Sequence, residues 1–255
     1  MRKMFWGFGR LLGVVLLGVG YGCSTIRENM ASDPPQLTPF LPHHELLVRQ
    51  KAEFPFCYYW EAKNVDWNRY HRIYVAPVNT ENVLKDSWWE QVNSSQLLKI
   101  KQELPAVSTY MRNSFIRELR KVESRGGLKV VDKPEAGTLT LELALTQLVP
   151  TKAELNYLGT AADFFVPGAG MVTNMAAAGN VCFEAKLVDA GNGKVLVMLA
   201  DRADDPTALI GLTSYTWYGS AQYNIDVWAR QAAAMSVSQR LGDVQRDFPL
   251  HLITY

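Results

Sequence analysis

Alternating apolar and polar residues predict a β-sheet. Five segments are predicted strands: 73–78, 128–131, 138–148, 181–187 and 195–200, and the period of two that is typical of a half-buried strand marks 73–78, 138–148 and 181–187. Pro77 restricts the first segment to a sheet edge or a strand end, because proline cannot donate a hydrogen bond to a neighbouring strand. Asn192 and Gly193 separate the last two segments, and this pair is typical of a tight turn. We therefore predict a hairpin over residues 181–200.

Apolar residues that recur every three or four positions predict two helices. The first spans about 105–122, and Pro105 suits its first turn because the missing N–H is not needed there. The second spans about 224–241, with Asn224 as its N-terminal cap. Residues 249–255 could add a last strand. Strands and helices in this order predict a single α+β domain (α/β-like), with a mixed β-sheet and helices packed on it.

The composition excludes two classes of protein. Hydrophobic residues make up 48% of the 255 residues and charged residues 20%, which excludes a largely disordered chain. A net charge of +1 argues against a nucleic-acid partner, because such proteins carry a basic face. The three cysteines have no metal-finger spacing, and we predict neither a metal nor another cofactor. Cys57 and Cys182 could form a disulfide in an oxidising compartment or remain two buried thiols.

The N-terminus has the three parts of a secretory signal: a basic head, an apolar stretch over 11–19, and small residues before Cys23. The apolar stretch is too short to span a bilayer, which needs about 20 residues. The segment resembles the lipobox of bacterial lipoproteins, although Gly20 and Tyr21 depart from its commonest residues. An ordinary cleaved signal that happens to contain a cysteine is the alternative.

The lipobox resemblance implies an anchor at Cys23. In that family the cysteine receives a diacylglycerol, residues 1–22 are removed, and the new amine is acylated. Ser24 implies the outer membrane, periplasmic face, because aspartate at this position retains such lipoproteins in the inner membrane. The chain then divides into a signal peptide, a lipidated and proline-rich tether over 23–59, and a periplasmic domain over 60–255. The membrane becomes a partner through the lipid anchor.

A run of small and apolar residues over 153–180 is the first candidate for a binding site. Long inserts between strands are more often functional or mobile than neutral. Phe164, Phe165 and Met171 would line an apolar pocket for a lipid or a small molecule. The run lacks the later glycine and the lysine of phosphate-binding loops. A loop that only closes one end of the sheet is the alternative.

The sequence contains neither the Gly-x-Ser-x-Gly nor the His-Glu-x-x-His motif, and we predict that the protein is not an enzyme. Asp201, Asp204 and Asp205 precede Pro206 in a polar segment, where we expect exposed carboxylates. A scattered site that uses Asp201 and His71 is the enzymatic alternative. It requires the two side chains to lie within about 10 Å of each other.

Four stretches together resemble an uncharacterised family of bacterial lipoproteins, domain of unknown function 3313. They are 70–78 (YHRIYVAPV), 105–122, 138–150 and 183–197 (FEAKLVDAGNGKVLV). The resemblance covers roughly residues 60–250 and supplies no catalytic residues. It implies a non-enzymatic binding or accessory protein of the cell envelope, with an envelope protein as partner. Similarity to auxiliary lipoproteins of transport systems implies the alternative, a lipid-binding or small-molecule-binding lipoprotein that uses the 153–180 insert.

Overall fold

The computed structural model describes residues 33–85, 89–90, 94–149, 179–204, 218–238 and 243–247. The elements below lie in the unit Pro34–Tyr255. In the described part of the chain, no helix is both long enough and apolar enough to cross a membrane. The predicted fold class, an α+β domain with helices packed on a mixed sheet, is confirmed.

A seven-stranded mixed sheet organises the described residues. Its strands are β1 (Val48–Arg49), β2 (Tyr58–Glu61), β3 (Arg72–Val75), β4 (Lys129–Val131), β5 (Thr138–Val149), β6 (Asn180–Asp189) and β7 (Val195–Asp204). Across the sheet they follow the order β1-β2-β7-β6-β5-β3-β4. β3 pairs in parallel with β4 and β5, and the other neighbouring strands pair antiparallel. The five predicted strands therefore correspond to β3 to β7.

The predicted hairpin is formed by β6 and β7. At its turn, the N–H of Gly193 donates to the carbonyl of Asp189 at 2.8 Å. Gly193 has a φ of 73°, a conformation that glycine adopts without steric cost. The carboxylate of Asp189 accepts hydrogen bonds from the N–H of Gly191 at 2.8 Å and from the Asn192 amide at 3.1 Å. Asn192 and Gly193, from which the turn was predicted, thus form hydrogen bonds that close it.

The first long helix, α1, spans Ser94–Val122 and is longer than predicted at its N-terminal end. Pro105 lies inside the helix, so its expected place in the first turn is wrong. A proline inside a helix removes one hydrogen bond and crowds the preceding turn. Ile100 and Leu104, which precede it, are buried in the core, and this packing offsets the cost.

The second long helix, α2, spans Gly219–Val237. Asn224 therefore lies within the helix rather than at its cap, and it is buried. The described residues also include four short 3-10 helices: His44–Leu46, Trp67–Arg69, Val83–Lys85 and Glu123–Arg125. The predicted last strand at 249–255 lies outside the described residues.

One face of the sheet is buried beneath α1 and α2. The alternating side chains of β5 on this face are all buried: Leu139, Leu141, Leu143 and Leu145. Phe183 of β6 stacks against Trp228 of α2, with ring centroids 4.3 Å apart, and Phe115 of α1 lies 6.2 Å from the same ring. Each buried side chain of this size contributes about 1.5–3 kcal/mol. This layer is the main core.

The opposite face of the sheet, called the outer face below, is covered by residues 34–47. Leu41 is 1% exposed and packs on Met198 and Ala200 of β7. The predicted tether over 23–59 thus contains β1, the start of β2 and part of this second core from residue 34 onward. Prolines prevent an α-helix there, but the apolar residues between them still pack on the sheet. Residues 23–32 lie outside the described residues.

Candidate functional site

The predicted site residues of the N-terminus and the insert lie outside the described residues. They are Cys23, Phe164, Phe165 and Met171. β5 ends at Val149 and β6 begins at Asn180, so the chain between them leaves and enters the same end of the sheet. These assignments stay predictions.

Asp201 is buried, which corrects the expectation of an exposed carboxylate. It lies in β7 on the face that packs against the helices, and it is 1% exposed. Its carboxylate accepts hydrogen bonds from Arg246 Nη2 at 2.7 Å, Trp228 Nε1 at 2.8 Å and the Cys57 N–H at 2.9 Å. The side chain therefore joins β7, α2, the segment before β2 and the segment 243–247.

Asp201 and His71 cannot form a catalytic pair. His71 immediately precedes β3, and β5 and β6 lie between β3 and β7. Three strand spacings amount to about 14 Å, beyond the reach of direct proton transfer. Since both oxygens of Asp201 already accept hydrogen bonds from buried groups, its role is structural.

Cys57 and Cys182, the two cysteines among the described residues, are thiols. They lie on opposite faces of the sheet: the Cys57 sulfur contacts Arg246 at 3.6 Å, and Cys182 donates to Gln147 Oε1 at 3.2 Å. Burial, with the nearby Asp201 charge, raises the pKa of Cys57 to about 12. Neither a disulfide between them nor a reactive thiolate at Cys57 fits this arrangement.

Among the described residues, the best candidate for a binding site is a cleft of about 720 Å³ next to the C-terminal ends of α1 and α2, where the sheet extends beyond both helices. α1 ends at Val122 and α2 ends at Val237, while β5, β6 and β7 continue towards their hairpin end. The sheet residues left half-buried there include Leu187, Val197 and Leu199. Cavities of about 300–1,000 Å³ with mainly apolar walls are typical of ligand sites.

Polar groups lie along one side of this cleft. Glu61 accepts hydrogen bonds from the Tyr59 hydroxyl at 2.8 Å and from Trp67 Nε1 at 3.1 Å. Burial and the Glu61 carboxylate raise the pKa of Tyr59, so the hydroxyl stays protonated and continues to donate. Trp67 is 38% exposed at the rim. We call Tyr59, Glu61 and Trp67 the Glu61 cluster, in which the carboxylate accepts hydrogen bonds from the two aromatic side chains.

Sequence reasoning did not identify the Glu61 cluster. Tyr59 and Glu61 alternate on one face of β2, whereas Trp67 reaches them from the 3-10 helix that follows. The alternation is readable in the sequence, but the cleft wall opposite comes from β5, β6, β7 and α2. Only the folded chain brings these parts together.

A second polar cluster, called the Thr38 latch, lies on the outer face. The Thr38 N–H donates to Glu184 Oε1 at 2.6 Å, and its hydroxyl donates to Glu184 Oε2 at 2.7 Å. The hydroxyl also accepts from the Asn82 amide at 3.1 Å. Burial raises the pKa of Glu184, although the bonds from Thr38 act in the opposite direction. Lys186 Nζ adds a hydrogen bond of 3.1 Å to the carbonyl of Phe40.

Comparison with known proteins gives one family and several distant structures. The family described as "Protein of unknown function (DUF3313)" matches residues 37–232. No curated protein matches the chain. A variant PelC dodecamer from Paraburkholderia phytofirmans is 11% identical, with a TM-score of 0.38, over 71% of this chain and 98% of that one. A second PelC dodecamer from that organism is 11% identical, with a TM-score of 0.31, over 74% and 96%. Lipoprotein GNA1162 from Neisseria meningitidis is 15% identical, with a TM-score of 0.23, over 60% and 95%.

Proposed function

This chain belongs to the DUF3313 family of proteins of unknown function, and from that premise we propose that it is an envelope lipoprotein. It acts as a non-enzymatic binding or accessory protein. Lipid on Cys23 anchors it at the periplasmic face of the outer membrane, and an envelope protein is its partner. Two acyl chains hold a protein stably on a bilayer, where a single chain is marginal, because each buried methylene contributes about 0.8 kcal/mol.

The observation that supports this proposal is the docking of the N-terminal segment on the outer face. The Thr38 latch fixes the chain to β6, and Leu41 packs beside it on Met198 and Ala200 of β7. Cys23 precedes Thr38 by about 15 residues, a length that spans at most about 50 Å when fully extended. The domain would therefore be held close to the membrane through a fixed point on one face of its sheet.

Replacement of the lipidation site tests the anchor. We expect the parent chain to incorporate labelled palmitate and to stay with washed outer membranes, whereas Cys23→Ser does neither. Cys182→Ser is the matched control, because serine can still donate to Gln147 and the acceptor cysteine is intact. An unlabelled parent chain, or a Cys23→Ser chain that remains in the washed membranes, would refute the anchor.

Crosslinking tests the accessory role separately. We expect one envelope protein to be crosslinked to the anchored chain in a constant ratio, and to be lost with Cys23→Ser. Recovery of abundant porins in proportion to their abundance would contradict this role without affecting the anchor.

The cleft favours a second candidate function, binding of a lipid or small molecule. Its volume and apolar walls suit such a ligand. The sequence placed this role on the 153–180 insert, but the described cleft lies at the hairpin end of β6 and β7, away from the end where that insert joins. The binding role of the insert stays a prediction, and the cleft is a second place where the same function could reside.

A further inference from the structure

We propose that the cleft binds a cationic amphiphile, a molecule with one aliphatic chain and an ammonium head that meets the Glu61 cluster. The inference rests on the second proposed function and names the chemical class of its ligand. It follows from the distribution of apolar and charged groups around the cleft.

The walls of the cleft suit an unbranched aliphatic chain. Four elements supply aliphatic side chains to these walls: Leu139 and Leu141 from β5, Leu187 from β6, Leu119 from α1 and Met235 from α2. Leu187 is only half-buried although it lies on the core face of β6. An alkyl chain in the cleft would remove the remaining surface of half-buried residues such as Leu187 and Met235 from water, at about 25 cal/mol for each Å² that becomes buried.

The charge at the cleft is negative. Glu61 is the only acidic residue among the described residues that line it; none of them is a lysine or an arginine, and His71 is the one histidine. Arg69 lies beside the cleft, 5.3 Å from the ring centre of the lining residue Tyr70, but its guanidinium is paired with the buried carboxylate of Asp189 at 3.8 Å. An anionic head would therefore meet repulsion, and a cationic head attraction.

The geometry of the Glu61 cluster suits an ammonium group. Hydrogen bonds from Tyr59 and Trp67 fix the carboxylate, so it keeps its position as a ligand approaches. A fixed carboxylate attracts an alkylammonium cation through charge, and the aromatic rings of Tyr59 and Trp67 beside it offer apolar contact to the methyl groups of such a cation. Trp67 is exposed at the rim, where a head group would enter.

Calorimetry with three probes of equal chain length tests the proposal. The probes are decyltrimethylammonium, decyl maltoside and decanoate, each used below its micelle concentration. The protein is the full chain with Cys23→Ser, so that no acyl group of its own competes for the cleft. We expect the cation to bind at least tenfold more tightly than decanoate, with one site per chain.

Three variants locate the binding. Glu61→Gln keeps a hydrogen-bond acceptor but removes the charge. We expect it to weaken binding of the cation about three- to tenfold while leaving the affinity for decyl maltoside unchanged. Leu187→Gln places a polar amide on the apolar wall of the cleft, and we expect it to weaken binding of all three probes. Glu81→Gln is the matched control, because Glu81 is exposed and does not line the cleft, and we expect no change.

The possible outcomes separate the two proposals. Equal binding of all three probes, or an unchanged preference in Glu61→Gln, would overturn the cationic ligand while leaving a lipid-binding cleft. No binding by any probe would overturn both. Binding that appears only in a chain shortened to end at Asp247 would also overturn both, since residues 248–255 would then be the occupant.

Discussion

Replacing Asp201 by asparagine tests whether the buried ion pair holds the domain together. Asparagine has nearly the same shape, so the change removes charge while leaving volume almost constant. In the parent chain, Arg246 Nη2 lies 2.7 Å from Asp201 Oδ1, and the two side chains are 12% and 2% exposed. The variant leaves the guanidinium of Arg246 buried without an opposite charge.

The expected loss is about 3–5 kcal/mol, the cost of removing one partner from a buried ion pair. Two further hydrogen bonds to the same carboxylate, from Trp228 and from the Cys57 N–H, compete for the single acceptor oxygen of asparagine. The free energy of unfolding of a domain is only about 5–15 kcal/mol. Asp201→Asn should therefore remove a large part of the free energy of unfolding.

Urea unfolding at pH 7 measures this loss by linear extrapolation. Glu135→Gln is the control, because Glu135 pairs with Arg72 at 3.0 Å but the side chains are 62% and 42% exposed, and such pairs contribute about 0–1 kcal/mol. Adding Arg246→Met to Asp201→Asn should recover part of the stability, since no buried charge then lacks a partner. A loss in Asp201→Asn as small as that in Glu135→Gln would refute the reasoning.

Three further predictions concern titration and reactivity. Burial raises the pKa of Glu184, so its contribution to stability relative to Glu184→Gln should be largest below pH 4.5 and should fall as the pH rises through the raised pKa; urea titrations across this range measure it. The hydrogen bonds from Tyr70 and the N–H of Gly191 lower the pKa of Asp189, so the parent should lose stability relative to Asp189→Asn as the pH falls below 3.8; equal acid sensitivity would contradict this. With a pKa of about 12, Cys57 should be alkylated by iodoacetamide at pH 8 only after unfolding in urea, as mass spectrometry of its peptide will report.

The strands were predictable because their signal is local. A strand with one buried face alternates over its own length, and β5 does so from Leu139 to Leu145. The hairpin turn is specified by Asn192 and Gly193 in the same way. The N-terminal part of α1 was missed because Pro105 resembles a helix start, and only the burial of Ile100 shows why the helix continues through it.

The exposure of Asp201 was mispredicted although a signal existed. Asp201 is in phase with Val197 and Leu199 on β7, and that alternation places it on the core face. A proline shortly after it suggested a polar loop instead. The partners that make burial tolerable, Trp228 and Arg246, lie far along the chain, so no local pattern could have predicted them.

The segment 34–47 and the cleft are connected through one strand. Glu184 and Leu187 are three residues apart on β6, about 10 Å along the strand, and their side chains point to opposite faces. A chain that enters over the outer face therefore places the cleft on the other side of the sheet from its own attachment. Because the Thr38 latch shares no side chain with the Glu61 cluster, loss of Glu184 would loosen the attachment while leaving the cleft walls in place. The two proposed roles thus use separate faces of one rigid element, and a defect in one does not require a defect in the other.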